Sequence, residues 1–164
     1  MNLGAGSAPV SACKFPNAAA KTAAIKDFLT KHGDDLPAEV IKKASATDQH
    51  RRWTLYCDSN GVAAGMRYEQ NDWYLCTLKN AAVRPDLRGK GIGRVLYKQT
   101  ADSALKDKGC LVLAADVTYD NKPSVKALMR AGFNTVNRFC WAKGQKPANV
   151  MHMVKLPTKG GSCG

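Results

Sequence analysis

Apolar positions recur with two different periods along this chain, and the change of period divides it. Residues 17–33 (NAAAKTAAIKDFLTKHG) follow a helical period, with Ile25, Phe28 and Leu29 on one face, Asn17 as a cap and Gly33 as a stop. A second, shorter helix is predicted over 36–46, where Pro37 suits the first turn. From Arg52 the period becomes two. Residues 52–57 and 62–69 read as a hairpin across the turn 58–61, where Asn60-Gly61 supplies left-handed turn geometry. Residues 73–83 (WYLCTLKNAAV) form a long strand candidate. A helix is predicted over 92–108, with Ile92, Val95, Leu96, Ala104 and Leu105 inward and Gly109 ending it. A buried strand over 110–117, a helix over 122–132 with Pro123 in its first turn, and strands over 133–142 and 149–157 complete the pattern. A short first strand is expected within 9–15. The order implies an α/β chain of the mixed-sheet (α+β) kind, with helices on both faces.

At 164 residues and 45% apolar content, one globular domain over 1–157 and a frayed tail over 158–164 are expected. The N-terminus has neither the charged start nor the apolar core of a secretion signal, and no window has the apolar length to span a bilayer. The six cysteines form no CxxC pair and match no zinc spacing, so no metal site is expected. Several sit in apolar runs. They read as reduced, buried small hydrophobes in a cytoplasmic protein.

Charge changes the picture. The net charge is +12, and no acidic residue follows Asp120. A basic C-terminal part, with aromatics in NRFCWAKGQK, would suit a nucleic acid or an acidic protein. The segment around Asp34, Asp35 and Glu39 is instead locally acidic and would suit a cationic amine.

The chemistry concentrates in VRPDLRGKGIGR, residues 83–94, between the long strand and a helix start. Glycines allow close approach, and a helix N-terminus offers unpaired N–H groups, so the segment describes an anion cradle. A dinucleotide GxGxxG fails because Arg94 stands at its third glycine, and GxxxxGK[ST] does not occur. The remaining pattern is Arg-x-x-Gly-x-Gly, at Arg88, Gly91 and Gly93. With Val83 and Pro85 ahead of it, this fragment resembles the acetyl-CoA pyrophosphate loop of the GCN5-related N-acetyltransferase (GNAT) superfamily. Downstream, DNKPSVKALMRAGF is similar to that family's second landmark, carried by Asn121, Leu128, Gly132 and Phe133. The element order also matches the family, over nearly the whole chain.

The resemblance implies a mostly antiparallel sheet whose fourth and fifth strands splay apart, with acetyl-CoA as co-substrate in the opening. Backbone groups at Ala81 and Val83 would hold the pantetheine arm. The N–H groups of Arg88, Gly89, Lys90, Gly91, Ile92, Gly93 and Arg94 would hold the pyrophosphate, and Asn121 would bond the arm from the opposite lip. Lys122, with Lys90 and Arg94, would serve the remaining phosphates. The implied activity is direct acetyl transfer to a primary amine, small or macromolecular. An acyl-CoA sensor without turnover is the alternative, and a homodimer is compatible with either. The chain departs from the family where many members place a tyrosine acid, here Met129, and where some place a glutamate base, here Thr77. Asp116 and Tyr119 are the substitute catalytic candidates, His152 a further one, and Cys76 and Cys140 the candidates for a covalent route.

Overall fold

The computed structural model describes residues 10–33, 36–46, 51–107, 110–141 and 148–157. The elements are β1 (Ser11–Ala12), α1 (Ala18–His32), α2 (Ala38–Ser45), β2 (Arg51–Asp58), β3 (Gly61–Gln70), β4 (Leu75–Val83), a 3-10 turn (Pro85–Leu87), α3 (Ile92–Lys106), β5 (Val112–Thr118), α4 (Lys122–Arg130), β6 (Asn134–Trp141) and β7 (Ala148–Lys155). The described strands form one sheet in the order β1-β2-β3-β4-β5-β7-β6. Only β4 and β5 pair in parallel; every other neighbouring pair is antiparallel. The mixed sheet expected from the pattern is therefore the observed one.

Alternation along the strands sorts the core into two layers. Cys76 and Leu78 of β4, Leu113 and Ala115 of β5, and Met151 and Met153 of β7 pack with Ile92, Leu96 and Leu128 of α3 and α4. Trp53 and Leu55 of β2 pack with Ile25, Phe28 and Leu29 of α1 and Ile41 of α2. Asn17 caps α1, its Oδ1 accepting from the Ala20 N–H at 2.8 Å, worth about 1 kcal/mol. The buried stripe of α3 is Ile92, Leu96, Tyr97, Thr100, Ala101 and Ala104; Val95 and Leu105 are only partly covered. Pro37 stands at the N-cap of α2 rather than in its first turn, since its φ of −58° serves either position. At the hairpin only Gly61 has a positive φ (+100°). Trp73 precedes β4 and is 72% exposed, so the aromatic start of that segment is not strand. The predicted stop at Gly109 and the tail over 158–164 lie outside the described residues.

The cysteine reading is corrected. Cys13 and Cys57 form a disulfide that ties the chain beside β1 to β2, and Cys76 and Cys110 form another between β4 and the approach to β5. Among the described residues Cys140 is the free thiol, and it is exposed. Apolar flanks signalled burial correctly at Cys76 but not at Cys140, and burial at Cys76 and Cys110 went with the pairing of their sulfurs. The cytoplasmic expectation rested on reduced thiols, and that support goes with them. No described helix is long and apolar enough to cross a membrane.

Candidate functional site

The parallel pairing of β4 with β5 runs from Leu75↔Val112 to Leu78↔Ala115 and stops. Beyond it, β4 continues against β3 as far as Val83↔Ala64, and β5 continues against β7 as far as Thr118↔Val150. The two strands therefore diverge. The bend has a local cause. Between Gly65↔Ala82 and Arg67↔Lys79, β4 carries one more residue than β3, and Asn80 there takes a left-handed φ of +54°. Asparagine tolerates that region better than most residues. The extra residue reverses the alternation: Leu78 faces the α3 and α4 core, whereas Ala82 joins the α1 and α2 core.

A cleft of about 440 Å³ opens where the strands part. It is lined by Ala81 and Val83 of β4, Arg88, Gly89, Gly91, Gly93 and Arg94 of the loop and α3 start, and Asn121 at the head of α4. The structure thus brings both sequence motifs to one cavity. Gly89 and Gly91 have φ of +78° and +82°, and a Cβ at either would meet no protein atom within 4 Å. Glycine is required there by conformation. Gly93 is helical, and a Cβ on it would meet only Val83 Cγ2, at 4.0 Å, so a side chain there would enter the cleft rather than the core. Val95 N–H closes the first helical turn on Gly91 O at 3.4 Å, which leaves the amides of Ile92, Gly93 and Arg94 as the head of the helix. These features fit a pyrophosphate.

Not every expected group serves the cradle directly. The Arg88 N–H bonds Pro85 O at 3.2 Å, and its guanidinium donates to Val83 O at 2.9 Å. Arg88 therefore braces the loop against the end of β4. Ile92 is 1% exposed, so its side chain is core and only its amide faces outward. Lys90 is exposed and Lys122 Nζ lies 3.4 Å over the Tyr119 ring. Asn121 caps α4, its Oδ1 accepting from Ser124 N–H at 3.2 Å, so its amide nitrogen is the donor left to reach across the cleft. Tyr97 and Ser124, which the sequence reading missed, also line the cavity. Tyr97 follows Gly93 by one turn, a spacing that could have identified it.

Arg84 is a second omission. Its guanidinium donates to Asp58 Oδ1 at 3.0 Å and to Asp86 Oδ1 at 2.7 Å, tying the loop to the end of β2. The Asp58 side chain is 2% exposed. The Arg84 hydrogen bonds hold the Asp58 carboxyl below its usual range despite burial, and they hold the guanidinium firmly charged. The charge pair is desolvated, so its geometry is strict.

Asp116 and His152 face each other across β5 and β7, and His152 Nδ1 lies 2.7 Å from Asp116 Oδ1. Alternation puts both on the α1 and α2 side of the sheet, opposite Ala115 and Met153. Thr77 lies on that side of β4 too, and its cross-strand partner is Glu69. Burial would raise the Glu69 carboxyl, but Lys79, Arg67 and Arg51 outweigh it and hold the value low, which makes Glu69 a poor base. Tyr119 lies elsewhere, in a groove with Arg138, Phe139 and Asn149, and does not line the cleft between β4 and β5. Met129 is 61% exposed. Cys76 is spent in its disulfide and cannot be an acyl carrier.

The helix-pair wall also differs from expectation. Asp34 and Asp35 lie outside the described residues. What α2 presents to the sheet cleft beside β4 is Val40, Lys43 and Ala44, and Glu39 is not among the lining residues. Among the described residues no group of three His, Cys, Asp or Glu side chains could hold a metal.

Comparison with known proteins agrees with this geometry. The chain is similar to streptothricin acetyltransferase of Streptomyces lavendulae, 44% identical over 57 residues, which is 35% of this chain and only 30% of that relative. The ribosomal-protein-S18-alanine N-acetyltransferase of Escherichia coli shares the fold at a TM-score of 0.72 and 16% identity, over 96% of this chain and 98% of the other. The protein yncA from Salmonella typhimurium, solved with its cofactor acetyl-CoA, matches at a TM-score of 0.64 and 15% identity, over 94% and 98% of the two chains. The model of the acetyltransferase (GNAT) family matches residues 18–133, from α1 through the Gly-Phe that ends the second motif. The chain belongs to the GNAT family, whose members are acyltransferases that use acetyl-CoA.

Proposed function

We propose that this chain transfers the acetyl group of acetyl-CoA to a primary amine by direct attack in a ternary complex. The observation that carries the reading is the divergence of β4 and β5 after Leu78↔Ala115, with the glycine loop and Asn121 lining the one cleft it opens. The amides of Gly89 to Arg94 bind the pyrophosphate, and the β4 edge at Ala81 and Val83 pairs with the extended arm as an added strand would. Acetyl-CoA supplies an activated acyl group. The chain supplies orientation, which accounts for much of the acceleration in such reactions.

An alkylamine is mostly protonated near neutral pH and must lose a proton to attack. With Asp116 accepting from Nδ1–H, His152 presents Nε2 as the proton acceptor. The amine nitrogen then bonds the acyl carbon as the carbon–sulfur bond breaks. The nitrogen gives up a second proton as the amide forms, and that proton passes through water to the leaving thiolate, since Met129 has none to donate. Asp116 acts as a positioning residue.

A second reading, acyl-CoA binding without turnover, draws on Met129 and Thr77 at the usual acid and base positions. One assay separates the two. Acetyl-CoA and an amine panel that includes streptothricin are supplied, and acetylated product and free thiol are measured together. Turnover above hydrolysis supports the transferase. Tight acetyl-CoA binding with no turnover on any amine supports the sensor, and no binding at all overturns both.

A further inference from the structure

Next to the diverging strands, on the α1 and α2 side of the sheet, lies a second cleft of about 380 Å³. Thr77, Lys79 and Asn80 of β4 form its floor, with Arg67 of β3 and Asp116 of β5 beside them and Lys43 of α2 as the wall. Two of its residues relate it to the groups described above. Asn80 adjoins Ala81 of the cofactor cleft, and Asp116 is the carboxylate that holds His152.

The charge of this cleft is one-sided. Among the described residues, Lys43, Arg67 and Lys79 line it against the single carboxylate of Asp116. Glu69 lies behind Arg67 and Lys79, at 3.3 Å and 3.2 Å, and also holds Arg51 at 3.3 Å. The Arg67 side chain is 8% exposed. A guanidinium withdrawn from water at a cleft wall is a costly arrangement that a merely solubilising surface does not require. A polycationic acceptor would meet repulsion here, whereas an anion would complete the charge balance.

On the reading of the site as an amine acetyltransferase, we infer that its acceptor is a small primary amine that carries its own anionic group, a carboxylate, phosphinate or phosphate. Lys43, Lys79 and Arg67 hold that anion while Asp116 and His152 face the amine. The cleft volume suits a molecule of amino-acid size. The recognition is by charge placed on α2, β3 and β4, so it is separable from the backbone cradle that holds the cofactor.

The test uses three amines of equal length: γ-aminobutyrate, butylamine and putrescine, which carry a carboxylate, nothing, and a second amine. Binding of each to CoA-saturated protein is measured by calorimetry, independent of turnover, and transfer is measured in parallel with acetyl-CoA. The expected order of affinity is γ-aminobutyrate, butylamine, putrescine, with about tenfold between the first two. Lys43→Glu, on the exposed side of α2, lowers γ-aminobutyrate affinity about tenfold and narrows or inverts its advantage over putrescine, with CoA affinity unchanged. Lys79→Met, read the same way, guards against a local effect of one variant on α2. Equal or tighter binding of putrescine by the parent chain overturns the inference, as does a Lys43→Glu variant with an unchanged affinity ratio, or the absence of binding by all three. Binding of γ-aminobutyrate in the expected order without transfer leaves the anion subsite standing and defeats the transferase reading instead.

Discussion

The two clefts on either side of Asn80 are built from different materials. The cleft between β4 and β5 brings main chain to the fore: positive-φ turns at Gly89 and Gly91, the amide head of α3, and the β4 edge that β5 leaves, with Arg94, Tyr97, Asn121, Lys126 and Arg130 among the side chains around them. The neighbouring cleft is made of side chains, Lys43, Arg67, Lys79 and Asp116, drawn from four elements far apart in sequence. Backbone recognition demands particular residues at fixed local spacing, because only glycine accepts those dihedrals and only a helix start presents those amides. Side-chain recognition demands only that charges meet in space. The first can be conserved in kind while the second is free to choose a partner.

This contrast can be broken by substitution. Arg84→Met strips the charged partner from Asp58, whose side chain is 2% exposed and keeps the Asn60 N–H, and should cost about 3 kcal/mol in denaturant unfolding. The same variant should lose an acid limb. Asp58 ordinarily titrates at 3.8 and is held lower in the fold, so its contribution is complete above 3.8 and disappears as pH falls toward the lowered value. Gly91→Glu places a charged side chain at φ +82° in the cradle and should weaken acetyl-CoA binding by about a hundredfold or more in calorimetry, while far-UV circular dichroism stays native. His152→Gln acts instead on the proposed proton acceptor beside Asp116. It should lower kcat by about a hundredfold with CoA affinity unchanged, and Asp116→Asn should lower it less.

Gly93→Ala sharpens the comparison most cleanly. A methyl there meets only Val83 Cγ2 at 4.0 Å, and alanine favours a helix over glycine by about 1 kcal/mol, so thermal stability should hold or rise. Affinity for acetyl-CoA should nonetheless fall, by about tenfold, because the methyl occupies ligand space. The smallest effect belongs to a bond outside both clefts. Tyr68 donates to Asp107 Oδ2 at 2.7 Å, and burial followed by that carboxylate pushes its hydroxyl from 10.0 up to about 12. Stability should be intact below pH 10.0 and decline as pH rises toward about 12. Tyr68→Phe should remove that alkaline decline at a cost of about 1 kcal/mol at neutral pH.

What could be read from the chain divides along the same line. The order of elements was legible because period and turn residues are local patterns, and the glycine loop and Asn121 were singled out because they resemble the two landmarks of one family. The bulge at Asn80 was not, since an asparagine in a strand has several uses and only the register against Gly65 and Arg67 assigns this one. Arg84 was passed over; its role depends on Asp58, which lies 26 residues earlier. Asp116 and His152 were each noticed but could not be paired, being 36 residues apart on strands whose adjacency is a property of the sheet. The disulfides were misjudged because six cysteines without recognisable spacing were weighed by compartment, and spacing does not encode which sulfurs will meet.

The kink at Asn80 gives β4 a further property. On the proposed reading, one continuous ribbon would touch the donor on one side of that residue and the acceptor on the other, and successive residues of a strand advance by only about 3.3 Å. That stride is close to the separation at which a nucleophile and its target react. The polypeptide itself therefore acts as a ruler between the two molecules: side chains can be exchanged to admit a different guest without resetting the gauge.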